Sequence, residues 1–153
     1  MPKFKPLHGA VILAVFIAAL IGLEGKWKSP HVQVAPGPDG IVRIDVADLK
    51  PLAIRYYRFL NSANQEVKFF VARDESGTLQ VAFDAAENHF KLRRGFRLED
   101  GWIIDNKCDT ATRLAAVNGG GGGCSPIPLP HRVVGGELQI SSPDLLQGWR
   151  LFR

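Results

Sequence analysis

The sequence predicts a mainly β protein: a small antiparallel sandwich or barrel-like domain behind one N-terminal transmembrane helix. Three observations lead to this prediction. An uncharged apolar stretch lies near the start of the chain, short β-branched and aromatic stretches follow it, and polar turns separate them. The chain has 153 residues, with 46% apolar and 22% charged side chains, which is ordinary for one globular domain.

The apolar stretch is GAVILAVFIAALIGL, from Gly9 to Leu23, and it holds no charged or polar side chain. With Leu7 and His8 it reaches about 17 residues, the short end of a membrane span. Trp27 follows where an interfacial anchor is expected, so we assign the membrane anchor to Leu7, Leu23 and Trp27. The alternative is a cleaved signal peptide, although the small residues that cleavage needs are hard to place in IGLEGK.

The net charge of +4 is concentrated around this segment. Lys3, Lys5, Lys26 and Lys28 against Glu24 account for three of the four positive charges. The rest of the chain is nearly neutral, and a nucleic-acid-binding protein needs a basic face. We therefore expect membrane lipid as a partner and no nucleic acid.

Alternation with period two begins after the proline- and glycine-rich stretch Ser29 to Gly40, which is typical of a linker or an extended arm. A hairpin is predicted at Gly77, between strands near Val67–Arg73 and Leu79–Asp84. The other predicted strands are IVRIDV, AIRYYRFL, the two halves of GFRLEDGWII, and GELQIS. SSPDLLQGWRLF predicts one helical turn, with Ser142 as N-cap and Pro143 at the first helical position.

Aromatic residues on the predicted strands are expected in the core, because strands favour such residues. They are Tyr56, Tyr57, Phe59, Phe69, Phe70 and Trp102.

The chain offers few candidates for chemistry. It has no nucleophile elbow, no phosphate-binding loop, no His-x-x-x-His and no pair of carboxylates at a telling spacing. We therefore predict that it is not an enzyme. The remaining candidates are His89, Asp105, Cys108 and Cys124, which lie between two predicted strands and in a loop.

The loop that contains Cys124 is GGGGGCSPIPLP, from Gly119 to Pro130. Glycines have no Cβ and let the backbone approach another loop, whereas prolines hold the following segment extended. Such a sequence is suited to holding the Cys124 thiol at one defined position in the fold. The alternative is a loose surface loop with an incidental cysteine.

From VKFFVARDESGTLQVAFDAAENHF through GFRLEDGWIIDNKCD to GGCSPIPLP, the sequence resembles the FtrD-like predicted iron–sulfur membrane proteins of bacteria. Members of that family carry two Cys-x-x-Cys pairs and a Gly-Gly-Cys-Asn-Pro-x-Pro loop in an extracytoplasmic domain. The first pair falls on Ala86 and His89 here, the second on Asp105 and Cys108, and the loop cysteine is Cys124. Ser125 stands where the family has asparagine, and a four-thiolate cage is not present.

The resemblance implies that Cys108 and Cys124 lie together, and two uses of the pair follow. Two cysteines in an exported domain favour one disulfide, which would add roughly 3 kcal/mol of stability by chain-entropy arithmetic. Alternatively, His89, Asp105, Cys108 and Cys124 hold a metal through mixed N, O and S ligands. We expect no cofactor on the first view, and iron or copper on the second; two free thiols are the third alternative.

These expectations define the domains and the function. Residues 1–6 would be cytoplasmic, 7–25 the transmembrane helix, 26–40 a linker and 41–153 a β domain in the periplasm, anchored in the inner (cytoplasmic) membrane. The expected function is that of a non-catalytic accessory, structural or assembly subunit of a larger membrane complex, redox or photosynthetic. The alternative is a metal-binding redox or transport protein that uses a reduced version of the family's cysteine site.

Overall fold

The computed structural model describes residues 31–87 and 94–152, which fall within one compact unit, His31–Arg153. In these residues ten strands form three sheets, and the helices are short. The mainly β fold is therefore confirmed. The predicted transmembrane segment, residues 7–25, and its anchor residues lie outside the described residues. Within the described part, none of the helices has the length and apolar character that crossing a bilayer requires.

The strands follow the chain in a simple order. They are β1 His31–Val34, β2 Ile41–Asp45, β3 Ala53–Leu60, β4 Glu66–Arg73, β5 Leu79–Phe83, β6 Phe96–Glu99, β7 Trp102–Asp105, β8 Ala111–Arg113, β9 Arg132–Val134 and β10 Glu137–Ser141. The helical segments are the 3₁₀ helix η1 Leu114–Gly119, the α-helix α1 Ser142–Gln147 and the 3₁₀ helix η2 Gly148–Phe152. The central sheet has the order β1-β3-β4-β5, the second sheet β2-β10-β9 and the third sheet β6-β7-β8.

Strand β4 is buried on both faces of the central sheet, which explains its nearly continuous run of apolar residues. Phe69 and Val71 belong to the core that the central sheet shares with the second sheet. Phe70 and Ala72 point the other way, into a smaller core shared with the third sheet and η1. The domain is thus layered around its central sheet, which differs from one two-sheet sandwich or one closed barrel.

The predicted hairpin between β4 and β5 is confirmed. Gly77 has φ +88°, a left-handed conformation that suits glycine. The Asp74 carboxylate accepts hydrogen bonds from the backbone N–H groups of Ser76 and Thr78, at 3.0 and 2.9 Å. The turn therefore satisfies its own polar groups although Asp74 is buried.

The stretch Ser29 to Gly40 was expected to be a linker or an extended arm and not a regular element, but it contains strand β1. His31–Val34 pairs with β3 in parallel, in the register His31 to Tyr56. The central sheet is consequently not purely antiparallel. The prolines that suggested a linker lie outside β1, so they do not interrupt its hydrogen bonding.

Two smaller predictions also differ from the structure. The N-cap of α1 is Ser141, whose hydroxyl accepts a hydrogen bond from the Asp144 N–H, and not Ser142. Trp102 is 38% exposed at the start of β7, so it is not a core residue. The Arg113 guanidinium lies over its ring, 4.9 Å from the centroid, and covers the ring's face through a cation–π contact.

Candidate functional site

The glycine-rich loop connects η1 to the segment that follows Cys124. Gly122 has φ +65° with no atom within 4 Å of the place a Cβ would take. At Gly121 a Cβ would lie 2.7 Å from Oγ of Ser125. The run of glycines therefore allows both a left-handed backbone and a close approach of the loop to itself.

The segment after Cys124 extends the central sheet beside β5. The Phe83 N–H donates to the Ile127 carbonyl at 2.9 Å, and the Leu129 N–H donates to the Val81 carbonyl at 3.0 Å. Pro128 is bridged to Ala82 in this pairing, so its backbone nitrogen faces away from β5. The prolines thus occupy positions where an N–H donor is not needed for the pairing. The alternation of proline and apolar residues positions the loop cysteine at the end of a stiff, anchored segment.

Cys108 lies in the turn that joins β7 to β8. One oxygen of the Asp105 carboxylate accepts hydrogen bonds from the backbone N–H groups of Lys107 and Cys108, at 2.7 and 2.8 Å. The Asp109 N–H donates to the Asp105 carbonyl at 2.9 Å. Asp105 is buried, so its carboxylate acts as the organising group of the turn.

The structure brings the two cysteines together. The Cys108 side chain hydrogen-bonds to Cys124, and this contact, followed by partial desolvation and the nearby Cys124 and Asp105 charges, raises the pKa of the Cys108 thiol to about 11. Cys108 is exposed and Cys124 is half-buried. Both are thiols and not a disulfide in the structure. The pairing of the two cysteines as a disulfide stays a prediction.

One position from each of the family's two cysteine pairs lines a shared cavity. Ala86 and Asp105 line one cavity of about 10 Å³, together with Asp84 and Lys107. That volume suits about one water molecule. Methyl and carboxylate groups stand at the two positions where the resemblance places sulfurs.

His89, the fourth candidate, lies outside the described residues. Within the described ranges, no three His, Cys, Asp or Glu side chains are grouped so that they could hold a metal ion. Asp105, Cys108 and Cys124 lie in one region, and their role as metal ligands stays a prediction.

The sequence analysis did not identify a set of hydrogen-bonded, largely buried polar side chains beside this region. His31 Nε2 lies 2.9 Å from Oδ2 of Asp84, and Oδ1 of Asp84 accepts the Phe96 N–H at 2.8 Å. The Tyr56 hydroxyl donates to the Phe96 carbonyl at 2.9 Å, and burial, with the Asp84 charge as a second cause, raises the pKa of Tyr56 to about 12. No sequence signal links these residues, because His31 and Asp84 are 53 positions apart.

The fold and the site define a class of protein: a small β domain in which loops from different parts of the sequence meet at a pair of cysteine thiols. The chain belongs to a family described as membrane iron–sulfur containing protein, FtrD-like, whose family model matches residues 49–152. This match includes Ala86, His89, Asp105, Cys108 and Cys124, and it confirms the resemblance found in the sequence. Neither the curated proteins nor the solved structures gave a significant match.

The residues at the site do not fit a cluster held by four cysteines. The whole chain has two cysteines, whereas [2Fe–2S] and [4Fe–4S] clusters of the common type need four thiolates. Ala86 supplies no ligand atom, and an oxygen of Asp105 already accepts two backbone hydrogen bonds. The family's iron–sulfur association therefore does not extend to a four-cysteine cluster in this chain.

Proposed function

We propose that this protein is a non-catalytic accessory domain, held at the inner membrane by residues 7–25, in a larger redox or photosynthetic membrane complex. The observation that carries the proposal is that two positions matched to family cysteines hold no sulfur, while the strands around them are arranged in three sheets. Ala86 and Asp105, which the resemblance matches to family cysteines, line one cavity, and the surrounding strands enclose two apolar cores. Such a domain is suited to packing and assembly, and membership of a membrane protein family supports the location.

Purification from native membranes in mild detergent tests the accessory role. The full chain should co-migrate with other membrane subunits through two successive separations. The double variant Cys108→Ser/Cys124→Ser should co-migrate equally well, because the proposal assigns the association to the scaffold. Migration as a lone chain would contradict the proposal. Loss of association in the double variant alone would place the function at the thiols instead.

A second candidate function is metal binding for redox chemistry or transport. The contact between Cys108 and Cys124 favours it, because paired thiolates bind soft metals such as copper(I) well. Metal analysis of protein purified without oxygen distinguishes this candidate. Stoichiometric iron or copper that is lost in both Cys108→Ser and His89→Ala would support it, and metal below a tenth of the protein concentration would exclude it.

A further inference from the structure

We propose that Cys108 and Cys124 form a redox-active dithiol that exchanges with a disulfide-bearing protein or small molecule, so that the loop is reversibly cross-linked to the β7–β8 turn. The inference goes beyond the accessory function, because it requires no partner complex. Its first support is geometric: two side chains 16 positions apart in the sequence meet at the surface. A direct contact between two cysteine side chains is the arrangement from which a disulfide can form.

Each thiol is positioned by contacts that do not depend on a covalent bond. The Cys108 N–H is held by the Asp105 carboxylate at 2.8 Å. On the other side, the Ser125 N–H donates to the Gly122 carbonyl at 3.0 Å, and the Thr112 hydroxyl donates to Ser125 Oγ at 3.3 Å. The loop and the turn therefore keep their folded positions when both cysteines are reduced thiols.

The site is also reachable. Cys108 is exposed and Cys124 is half-buried, and Gly122, two positions before Cys124, has open space where a Cβ would lie. An incoming disulfide can therefore meet a sulfur without unfolding of the strands. Exposed disulfides and thiols are the ones that take part in exchange, whereas structural disulfides are resistant to reduction.

The exchange balances in two steps. A thiolate of the pair attacks the external disulfide, forming a mixed disulfide and expelling one external thiolate. The second sulfur of the pair then attacks the mixed disulfide, forming the Cys108–Cys124 bond and expelling the other external thiolate. Two protons leave the pair, and two electrons pass to the external disulfide, which becomes two thiols.

The test uses the full chain in detergent, equilibrated without oxygen and without added metal in glutathione buffers of graded ratio. The fraction of disulfide is read from alkylation and from the intact mass. We expect one reversible transition from two alkylatable thiols to none, with a mass loss of two hydrogens and unchanged far-ultraviolet circular dichroism. Cys108→Ser and Cys124→Ser should each stop at a mixed disulfide with one glutathione.

Three results would overturn the inference. The pair could stay fully alkylatable at every glutathione ratio, which would show that the sulfurs do not reach bonding distance. It could stay oxidised in the folded protein under excess reduced glutathione, which would make it a structural disulfide. Reversible oxidation accompanied by loss of the native circular dichroism signal would show that the bond forms only in unfolded chains.

Discussion

His31 in β1 and Asp84, directly after β5, form a hydrogen-bonded pair with Nε2 and Oδ2 2.9 Å apart, although β1 and β5 are not neighbours in the central sheet. Both side chains are largely buried, at 10% and 7% exposure. The other oxygen of Asp84 accepts the Phe96 N–H at the start of β6. One carboxylate therefore connects the edge strand β1, the end of β5 and the third sheet.

This pairing predicts that His31→Ala destabilises the domain by about 1.5–3 kcal/mol, the usual loss for a hydrogen bond to a charged group. His131→Ala is the matched control, because that ring hydrogen-bonds to an uncharged group, the Leu129 carbonyl, at 2.9 Å, and its removal should cost less than about 1 kcal/mol. Urea unfolding followed by tryptophan fluorescence measures both. Equal losses would show that the contact with Asp84 contributes little.

Gly95→Ala should be more damaging, by about 3 kcal/mol or more. A Cβ there would lie 2.5 Å from Oδ1 of Asp84, and the backbone has φ +62°. Gly77→Ala separates the two causes, because Gly77 also has a positive φ but has no atom within 4 Å of its Cβ position. It should cost about 1–2 kcal/mol, from backbone strain alone. Similar values for both variants would argue against the predicted clash.

The reduced protein should lose stability in alkaline solution through Cys108. Its pKa is raised from 9.0 to about 11, so the native protein holds this proton more tightly than the unfolded chain. The contribution is present in full below pH 9.0 and is lost as pH rises through about 11. Unfolding free energies measured across that range, compared with Cys108→Ser, isolate the effect. A variant curve parallel to that of the wild type would contradict it.

Gly121→Ala should disturb the approach of the loop to the thiol pair. The new methyl group would displace Ser125 Oγ, 2.7 Å away, and break its bond with Thr112, at a cost of about 0.5–1.5 kcal/mol. Disulfide formation in a fixed glutathione buffer should become slower. Gly119→Ala is the control, with open space at its Cβ position and no left-handed φ. An equal slowing in the control would point to general stiffening of the loop.

The membrane topology predicted from the sequence can be tested separately. The amino terminus should be cytoplasmic and the β domain periplasmic, with residues 7–25 crossing the membrane. Protease added to intact spheroplasts should then degrade the domain, while a cytoplasmic marker protein survives. Survival of the domain until the spheroplasts are lysed would reverse the assigned orientation.

The sequence predicted the longer strands and the central hairpin because their alternation and turn residues are local signals. It missed β8 and β9, which have three residues each, too few for a period to be visible. It also missed β1, because pairing with β3 depends on residues more than twenty positions away. Local propensity does not report such contacts.

The candidate site also combines features that the sequence indicated with contacts that only the fold reveals. The family's spacing brought Cys108 and Cys124 to attention, and the structure places their side chains in contact. The carboxylate of Asp105 was expected among the metal ligands, yet it binds the backbone of its own turn. The Asp84 pairing was invisible because it joins segments through the fold. Spacing thus indicated which residues meet, but the hydrogen bonds determine what each one does.

The proline segment beside β5 has a consequence for assembly. Its Pro128 bridge closes one side of the central sheet with a strand-like piece that lacks N–H donors at alternate residues. Another chain cannot continue the ladder there, because the outward positions offer too few donors. On that side, copies of the domain therefore do not pair edge to edge into a continuous, fibril-like sheet. Crowding of many copies on one membrane would therefore not extend this sheet from molecule to molecule.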